Sequence, residues 1–562
     1  MGKIKITYAQ ILFALLMAFL FVPLIQEHTG LIPVKPLKGV IIATPKPELT
    51  IENYRSSAYQ AQLEQYTSEH FGLREPVIRL YNQYMWSAFN KTYCQFIVPG
   101  KDGYLYYTSA VNDHFGTELL KHFDSNQEAV DQADKEIRLM NKLRYVLKDY
   151  GIEFLAFIAP DKPEIYPEYL PRRDADTTTV SLTDYFAKRM TETGFPFIDM
   201  TGWFAQMRDT ASFPIFPKTD SHWRYSATYG YDSLFRFINT LGGEAKFPEI
   251  RIGAPIAYES DKLEGDEETL NLLFRISGDR TKFKSNVTVI DSTTRRKPKV
   301  LFVGDSFIWS MNEFLPTRKL MADKEIWFYN NTAYEGFDNK TESVKDIDRL
   351  SHILNADYVV FYSAGHQWWE ATYSFAKDAL LQLCVSDSLF DATVTELADK
   401  FRHLDGYDDL TEEELRGQKK WMLKNNPELI PGLEGEAMPT IRNTKRIEQA
   451  LFTNRIKVDK DWLTSIQMYA NKQAISIDDA LHEEADRFAK NEPLIRDELV
   501  FDTAVFIQMK KQEIIKNWRP NPQIMQMIQQ KAKERDLPID VVLEQDAQWV
   551  INQQIENGEL FK

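Results

Sequence analysis

The chain has 562 residues, 43% of them hydrophobic and 13% aromatic, which is enough for two or three domains and too apolar for wholesale disorder. Its formal charge of −15 argues against nucleic acid as a partner, because no dense basic patch offsets repulsion by a phosphate backbone. Two cysteines, Cys94 and Cys384, allow at most one bridge and leave the redox compartment undecided.

Residues 6–25 form a mostly apolar run preceded by Lys3 and Lys5. At roughly 1.5 Å per helical residue such a run spans about the 30 Å of a bilayer core, and the lysines favour a cytoplasmic N-terminus. A cleaved signal peptide is the competing reading, but no small-x-small site follows the run. The expectation is a single-pass anchor over 1–26, with the bulk of the chain on the extracytoplasmic side of the cytoplasmic membrane. Residues 27–50 carry Pro33, Pro36, Pro45 and Pro47 and read as a semi-rigid linker with a reach of roughly 80 Å.

Helical spacing over 52–89, with Val77, Leu80, Tyr81 and Tyr84 in register, leads to a hairpin at 96–107 around Gly100-Lys101-Asp102-Gly103. A long helix over 125–150 precedes the strand 153–159, which closes on Pro160-Asp161-Lys162. A helix at 181–194 and a strand at 196–200 repeat the step, so the sheet is expected to be largely parallel with helices on both faces.

Asp220-Ser221-His222-Trp223 then reads as the start of a helix that ends at Gly242-Gly243, with Asp220 a simple N-cap as the bland alternative. The polar stretch 244–299 reads as an insertion. After it, Val300 to Val303 is a short buried strand ending in Gly304-Asp305-Ser306. Further strands are expected at 325–329 and 358–362, the second running into Ser363-Ala364-Gly365-His366-Gln367-Trp368.

Beyond 386 the text turns to charged helices and a Pro/Gly-marked linker. It then repeats itself at an offset of 62, pairing Ile466 with Ile528, Ala470 with Ala532, Leu481 with Leu543 and Ala485 with Ala547. The repeat reads as a helical hairpin used twice, for docking or assembly.

Chemistry is expected where strands end, because there the chain turns and leaves N–H groups pointing outward. Ser306 occupies such an edge and is a candidate nucleophile. A serine needs a base and an orienting group, and Asp220 and His222, two positions apart, supply both from one short segment. Gly-Asp-Ser alone is more often a turn, and Asp-x-His alone more often a packed histidine; the combination carries the argument.

Five blocks in order, Phe71-Gly72-Leu73-Arg74, Val98-Pro99-Gly100-Lys101-Asp102-Gly103-Tyr104-Leu105-Tyr106, Pro160-Asp161-Lys162 with Ile165-Tyr166-Pro167, Thr219-Asp220-Ser221-His222-Trp223 and Gly304-Asp305-Ser306-Phe307, make residues 50–380 resemble the alginate O-acetyltransferase family of SGNH-hydrolase-like proteins. The resemblance implies an extracytoplasmic enzyme that moves acetyl groups onto polysaccharide hydroxyls. Ser306 would be nucleophile, His222 base and Asp220 its orienter, with no bound cofactor or metal and a membrane-bound O-acyltransferase partner supplying acetyl groups. The family's asparagine has no clear counterpart, Asn330 and Asn331 being alternatives.

The expected fold class is α/β, an SGNH-hydrolase-like, mostly parallel sheet flanked by helices, with an N-terminal transmembrane helix and a C-terminal all-α repeat. The expected divisions are 1–26, 27–50, 51–385 with the insertion 244–299, 386–440 and 441–562. Lys162, Trp223, Arg224, Asn331, Tyr334 and Trp368 are candidate sugar contacts through stacking and hydrogen bonding. A carbohydrate acetylesterase and a non-catalytic glycan-binding or scaffolding subunit are the alternatives.

Overall fold

The apolar runs with charged or glycine borders become the strands of one seven-stranded sheet. The computed structural model describes residues 7–39, 44–171, 181–263, 265–276, 280–284, 286–290, 295–402, 407, 410–490, 511, 514–535 and 537–556. In chain order the strands are β1 (Glu153–Ala159), β2 (Phe197–Asp199), β3 (Lys299–Gly304), β4 (Asp323–Phe328), β5 (Thr332–Glu335), β6 (Lys340–Ser343) and β7 (Tyr358–Ala364). Across the sheet they run β6-β5-β4-β3-β7-β1-β2. β1 pairs parallel with β2 and β3 with β4, while β4 and β5 form an antiparallel hairpin. Every residue of β7, and every residue after the first in β1 and β3, is buried, which is why these strands read as unbroken apolar runs rather than alternating ones.

One face of the sheet is built from rings. Phe157 of β1 stacks on Tyr362 of β7 at 4.6 Å, Tyr362 on Tyr231 at 5.6 Å, and Trp223 leans on Phe157 at 6.0 Å. Each such ring buries roughly 150–250 Å², or about 4–6 kcal/mol of transfer free energy before entropy is counted.

The helix that carries Tyr231 is Ala227–Thr240, so it begins seven residues after Asp220, and Asp220 does not cap it. Residues 220–226 form a loop instead, tied by the bonds described below. The hairpin pairs Ile97–Pro99 with Leu105–Tyr107, and Asp102 and Gly103 take left-handed conformations at its turn. Within 244–299 lie two small antiparallel ladders, Glu249–Ile252 with Val287–Ile290 and Ile256–Glu259 with Thr281–Lys284.

By compactness the chain divides into one unit of residues 1–141, 154–341 and 360–374 and another of 142–153, 342–359 and 375–562. The first opens with the helix Tyr8–Thr29, long and apolar enough to cross a membrane, with a mean hydropathy of 2.3. The segment after it does not range freely. Lys38 N–H donates to Asn271 Oδ1 at 2.8 Å, Asn271 Nδ2 donates back to the Lys38 carbonyl, and Arg79 donates to the Pro36 carbonyl. Prolines hold this stretch extended without local backbone bonds, so its carbonyls remain available to the domain.

In the second unit the helices Lys460–Gln473 and Ile477–Ala489 are followed, 62 residues on, by Pro522–Arg535 and Ile539–Glu556. Their cores correspond in the same register: Ile466, Ala470 and Leu481 in one cluster occupy the places of Ile528, Ala532 and Leu543 in the other. Residues 491–510, between the copies, lie outside the described residues. Cys94 and Cys384 are both free thiols.

Candidate active site

The site begins where β3 ends. A Cβ on Gly304 would lie 1.9 Å from the Tyr362 carbonyl, so only glycine lets the strand pass β7 this closely before it turns. Asp305 fixes the turn. Its Oδ1 accepts from the Phe307 N–H at 2.9 Å and its Oδ2 from the Ala364 N–H at 2.7 Å, and burial raises its carboxyl above the usual range. Ser306 then starts the 3₁₀ turn Ser306–Ile308, in which Asp305 takes the next two N–H groups, that of Phe307 on its Oδ1 and that of Ile308 on its carbonyl.

Facing it is the loop 217–224. Lys162, at the end of β1, is fully buried and points its Nζ at four carbonyls of the neighbourhood: Leu105 at 2.8 Å, Pro217 at 2.6 Å, Lys218 at 2.7 Å and Asp220 at 3.0 Å. Burial pushes its amine down to about 7. Asp220 is fully buried; its Oδ1 accepts from the backbone N–H of His222 at 3.0 Å and lies 3.2 Å from His222 Nδ1, while Oδ2 accepts from Arg224 Nε at 2.7 Å. Burial alone would raise its carboxyl, but the bonds and charges of His222 and Arg224 hold it well below the usual carboxylate range. Burial would likewise lower His222, and Asp220 outweighs it, so the imidazole sits above its ordinary value. His222 Nε2 lies 2.7 Å from Ser306 Oγ. Serine, histidine and aspartate therefore form one chain of hydrogen bonds.

Ser306 and His222 open into a cavity of about 230 Å³ lined also by Tyr107, Ser221, Asp305, Phe307, Tyr329, His366 and Gln367. His366 makes a second pair. Its Nδ1 lies 2.6 Å from Asp161 Oδ1, and its backbone N–H donates to Asp161 Oδ2 at 2.6 Å, which leaves Nε2 as the nitrogen facing the cavity. Burial would lower this imidazole too, and the charges of Asp161, Asp305 and Asp113 prevail and raise it. Behind the pair, Asp113 accepts from Thr183 Oγ1 at 3.1 Å, and burial pushes its carboxyl up to about 7.

Of the expected residues, Ser306, His222 and Asp220 come together. Arg224 touches Asp220 and Glu313, an orienting position behind the histidine. The remaining candidate sugar contacts lie elsewhere. Lys162 is the buried brace just described. Trp223 and Trp368 have no exposed surface, the first packed among Phe157, Phe204 and Phe307 and the second against Phe186 and Phe361. Asn331 is exposed in the turn from β4 to β5, and Tyr334 packs edge-on against Trp309. Asn330 donates to the Tyr373 carbonyl, so the asparagine sought for the site is committed elsewhere. Aromatic residues beside a strand end give the same sequence signal whether they face sugar or core, and here the core claimed them. What sequence reading missed is the Asp161–His366 pair, whose members stand 205 positions apart. The only signal was that both lie just past strand ends.

Residues 97–344 match the family described as the SGNH hydrolase-like domain of acetyltransferase AlgX. Comparison with curated proteins gives no match. Among solved structures, the O-acetyltransferase domain of AlgJ from Pseudomonas putida is similar at 17% identity over 49% of this chain and 92% of that one, with a TM-score of 0.32. AlgX from Pseudomonas aeruginosa is 15% identical over 52% and 70%, at 0.33, and PatB1 from Bacillus cereus 13% identical over 44% and 93%, at 0.31. Residues 97–344, which hold Asp220, His222 and Ser306, are an SGNH hydrolase-like domain of the AlgX acetyltransferase type.

Proposed function

We propose that the protein is an extracytoplasmic O-acetyltransferase that passes acetyl groups to polysaccharide hydroxyls through an acetyl-Ser306 intermediate. The observation that carries this reading is the unbroken Asp220–His222–Ser306 chain at the mouth of a cavity, within a domain of an acetyltransferase family. His222 takes the Ser306 proton as Oγ attacks the acetyl carbonyl, then returns it to the departing group. A sugar hydroxyl next gives its proton to His222 and attacks the acetyl-serine, and Ser306 is regenerated. Asp220, ionised and clamped by Arg224, keeps the imidazole in the tautomer that presents Nε2 to the serine.

The negative charge that develops on the carbonyl oxygen needs donors. The Ser306 N–H is one. His366 supplies the other as an imidazolium, because Asp161 occupies Nδ1 and only the protonated ring has a proton left on Nε2 to donate. The acetyl donor reaches the site from a membrane-bound O-acyltransferase partner, with the helix Tyr8–Thr29 keeping this chain at the same membrane.

The reading is tested by incubating the full chain with an activated acetyl ester and neutral or acidic oligosaccharides. Mass spectrometry should find an acetyl group on Ser306 and acetylated oligosaccharide as product. Free acetate alone, with no sugar ester at any acceptor concentration, would establish an esterase instead. Absence of any Ser306 adduct under conditions that consume donor overturns the intermediate.

A further inference from the structure

The helix Arg74–Phe89 holds the protein through Trp86, which packs on the cluster of Ile97, Leu105 and Leu270, and through polar side chains. Its polar side chains face the protein: Arg79 is buried and donates to the Pro36 carbonyl at 2.8 Å, Asn82 donates to the Leu270 carbonyl at 3.0 Å, and Gln83 accepts from the Phe274 N–H at 2.9 Å. Its apolar stripe faces out. Val77, Leu80, Tyr81 and Tyr84 recur at i, i+3, i+4 and i+7 and are 51%, 61%, 48% and 58% exposed. The only other exposed side chains between 75 and 89 are Ser87, Ala88 and Phe89, and none of the exposed residues from 76 to 93 is acidic. A helix facing water would carry charge on this side.

Two further observations say what covers the stripe. The loop just before the helix touches the C-terminal end of the apolar helix Tyr8–Thr29: a Cβ on Gly72 would lie 2.3 Å from the Glu27 nitrogen and 2.6 Å from the Pro23 carbonyl. The stripe is thus continuous with a segment suited to a bilayer. Its composition also suits the headgroup region, where tyrosine rings bury their bodies and keep their hydroxyls wet and lysine meets lipid phosphate. Tyr81 and Tyr93 share a hydroxyl hydrogen bond of 2.7 Å, and Lys91 is exposed between the stripe and Tyr93. From there the patch continues to exposed Phe96, which stacks on Tyr107, a wall of the Ser306 cavity.

We infer that the outward face of Arg74–Phe89, with Tyr93 and Phe96, lies in the headgroup region of the bilayer beside the anchor helix, and so holds the mouth of the Ser306 cavity at the lipid surface. The inference rests on helix Tyr8–Thr29 crossing the membrane and is independent of what Ser306 transfers.

The test uses the full chain in liposomes of phosphatidylcholine and phosphatidylglycerol, with a nitroxide on Tyr84→Cys in a Cys94→Ser background and the buried Cys384 left in place. Leu80→Cys provides a second position, and Arg236→Cys, on a 60% exposed side chain, provides the aqueous control. Collision with oxygen should exceed collision with a water-soluble nickel complex at least about threefold at positions 84 and 80, with the reverse at 236. Labels at 84 and 80 as open to nickel as that at 236 overturn the inference. So do labels shielded from both reagents, which would mean that a protein partner or a second copy covers the stripe. A chain that alkaline carbonate washes off the liposomes overturns the anchor and this seat together, whereas a retained chain with nickel-accessible labels overturns the seat alone.

Discussion

The two walls of the cavity carry the same pair of side chains in different surroundings. On one wall Asp220 backs His222, whose Nε2 is already 2.7 Å from Ser306; on the other Asp161 backs His366, whose Nε2 faces open space. The first carboxylate is also clamped by Arg224 and held well below its usual range, while the second has at its back an acid, Asp113, that is itself pushed up to about 7. On the proposed mechanism the histidine bonded to serine acts as the base, and the one whose ring is bonded to its own carboxylate keeps a proton for the substrate. The end of β1 serves both walls, since Asp161 orients His366 and its neighbour Lys162 holds the carbonyl of Asp220.

The sharpest way to separate the walls is to remove each histidine. Ser306→Ala or His222→Ala should lower acetyl transfer by at least about 10³-fold while thermal unfolding stays within a few degrees of the parent, as expected for members of one catalytic unit. His366→Ala should cost about 10²-fold, the scale of one oxyanion donor, and should leave KM for the acceptor little changed because the contact forms in the transition state. Equal losses in His222→Ala and His366→Ala, measured as kcat/KM, would erase the distinction drawn between them. Lys162→Met is expected to differ from both: it leaves four carbonyls short of a donor, so the melting temperature should drop by several degrees and kcat should fall through misplacement of Asp220. A Lys162→Met chain of parental stability that only loses affinity for sugar would return Lys162 to the substrate contacts.

The difference between the walls also governs what the sequence could disclose. Asp220 and His222 stand two positions apart in one short loop, so their pairing is readable from the sequence itself. Asp161 and His366 meet only because β1 and β7 are neighbours in the sheet, and strand order is not written in any local pattern. The buried strands are legible, Glu153–Ala159 to the residue, because burial on both faces demands unbroken apolar runs, whereas the polar strands Thr332–Glu335 and Lys340–Ser343 at the sheet's edge offer no such run to read. Lys162, Trp223 and Trp368 were misread for one physical reason: periodicity reports that a side chain is apolar or charged, not which neighbour will cover it. The stripe of Arg74–Phe89 is the same ambiguity in reverse, a helical signal identical to that of a core helix on a face left open.

The pH profile sharpens the comparison at smaller amplitude. His222 must be neutral to accept the serine proton, and its value is raised, so kcat/KM should fall as pH drops through a point above the ordinary 6.5 of histidine. His366 must be charged, so activity should fall again as pH climbs through its own raised value. Asp161→Asn removes the main charge that raises it, and should move the alkaline limb to lower pH while leaving the acid limb in place. Movement of the acid limb instead would mean that Asp161 acts on His222.

Asp113→Asn is the smallest change, and it tests whether the second wall is backed by an acid. Asp113 rises from near 3.8 to about 7 on folding because it is buried near Asp161, so between those values the folded chain holds a proton that the unfolded chain has lost. The unfolded state then binds fewer protons, and stability declines as pH rises through the window from about 4 to 7. Asparagine has no proton to lose. The variant and the parent should therefore unfold at similar temperatures near pH 4, and the variant should become the more stable of the two as pH passes 7. Transfer activity should change by less than about threefold, because the amide retains an oxygen for the Thr183 hydroxyl and Asp113 is the most weakly contributing of the carboxylates that raise His366. If the two unfolding curves stay parallel from pH 4 to 8, Asp113 is ionised throughout, and the two walls are backed by carboxylates of the same kind.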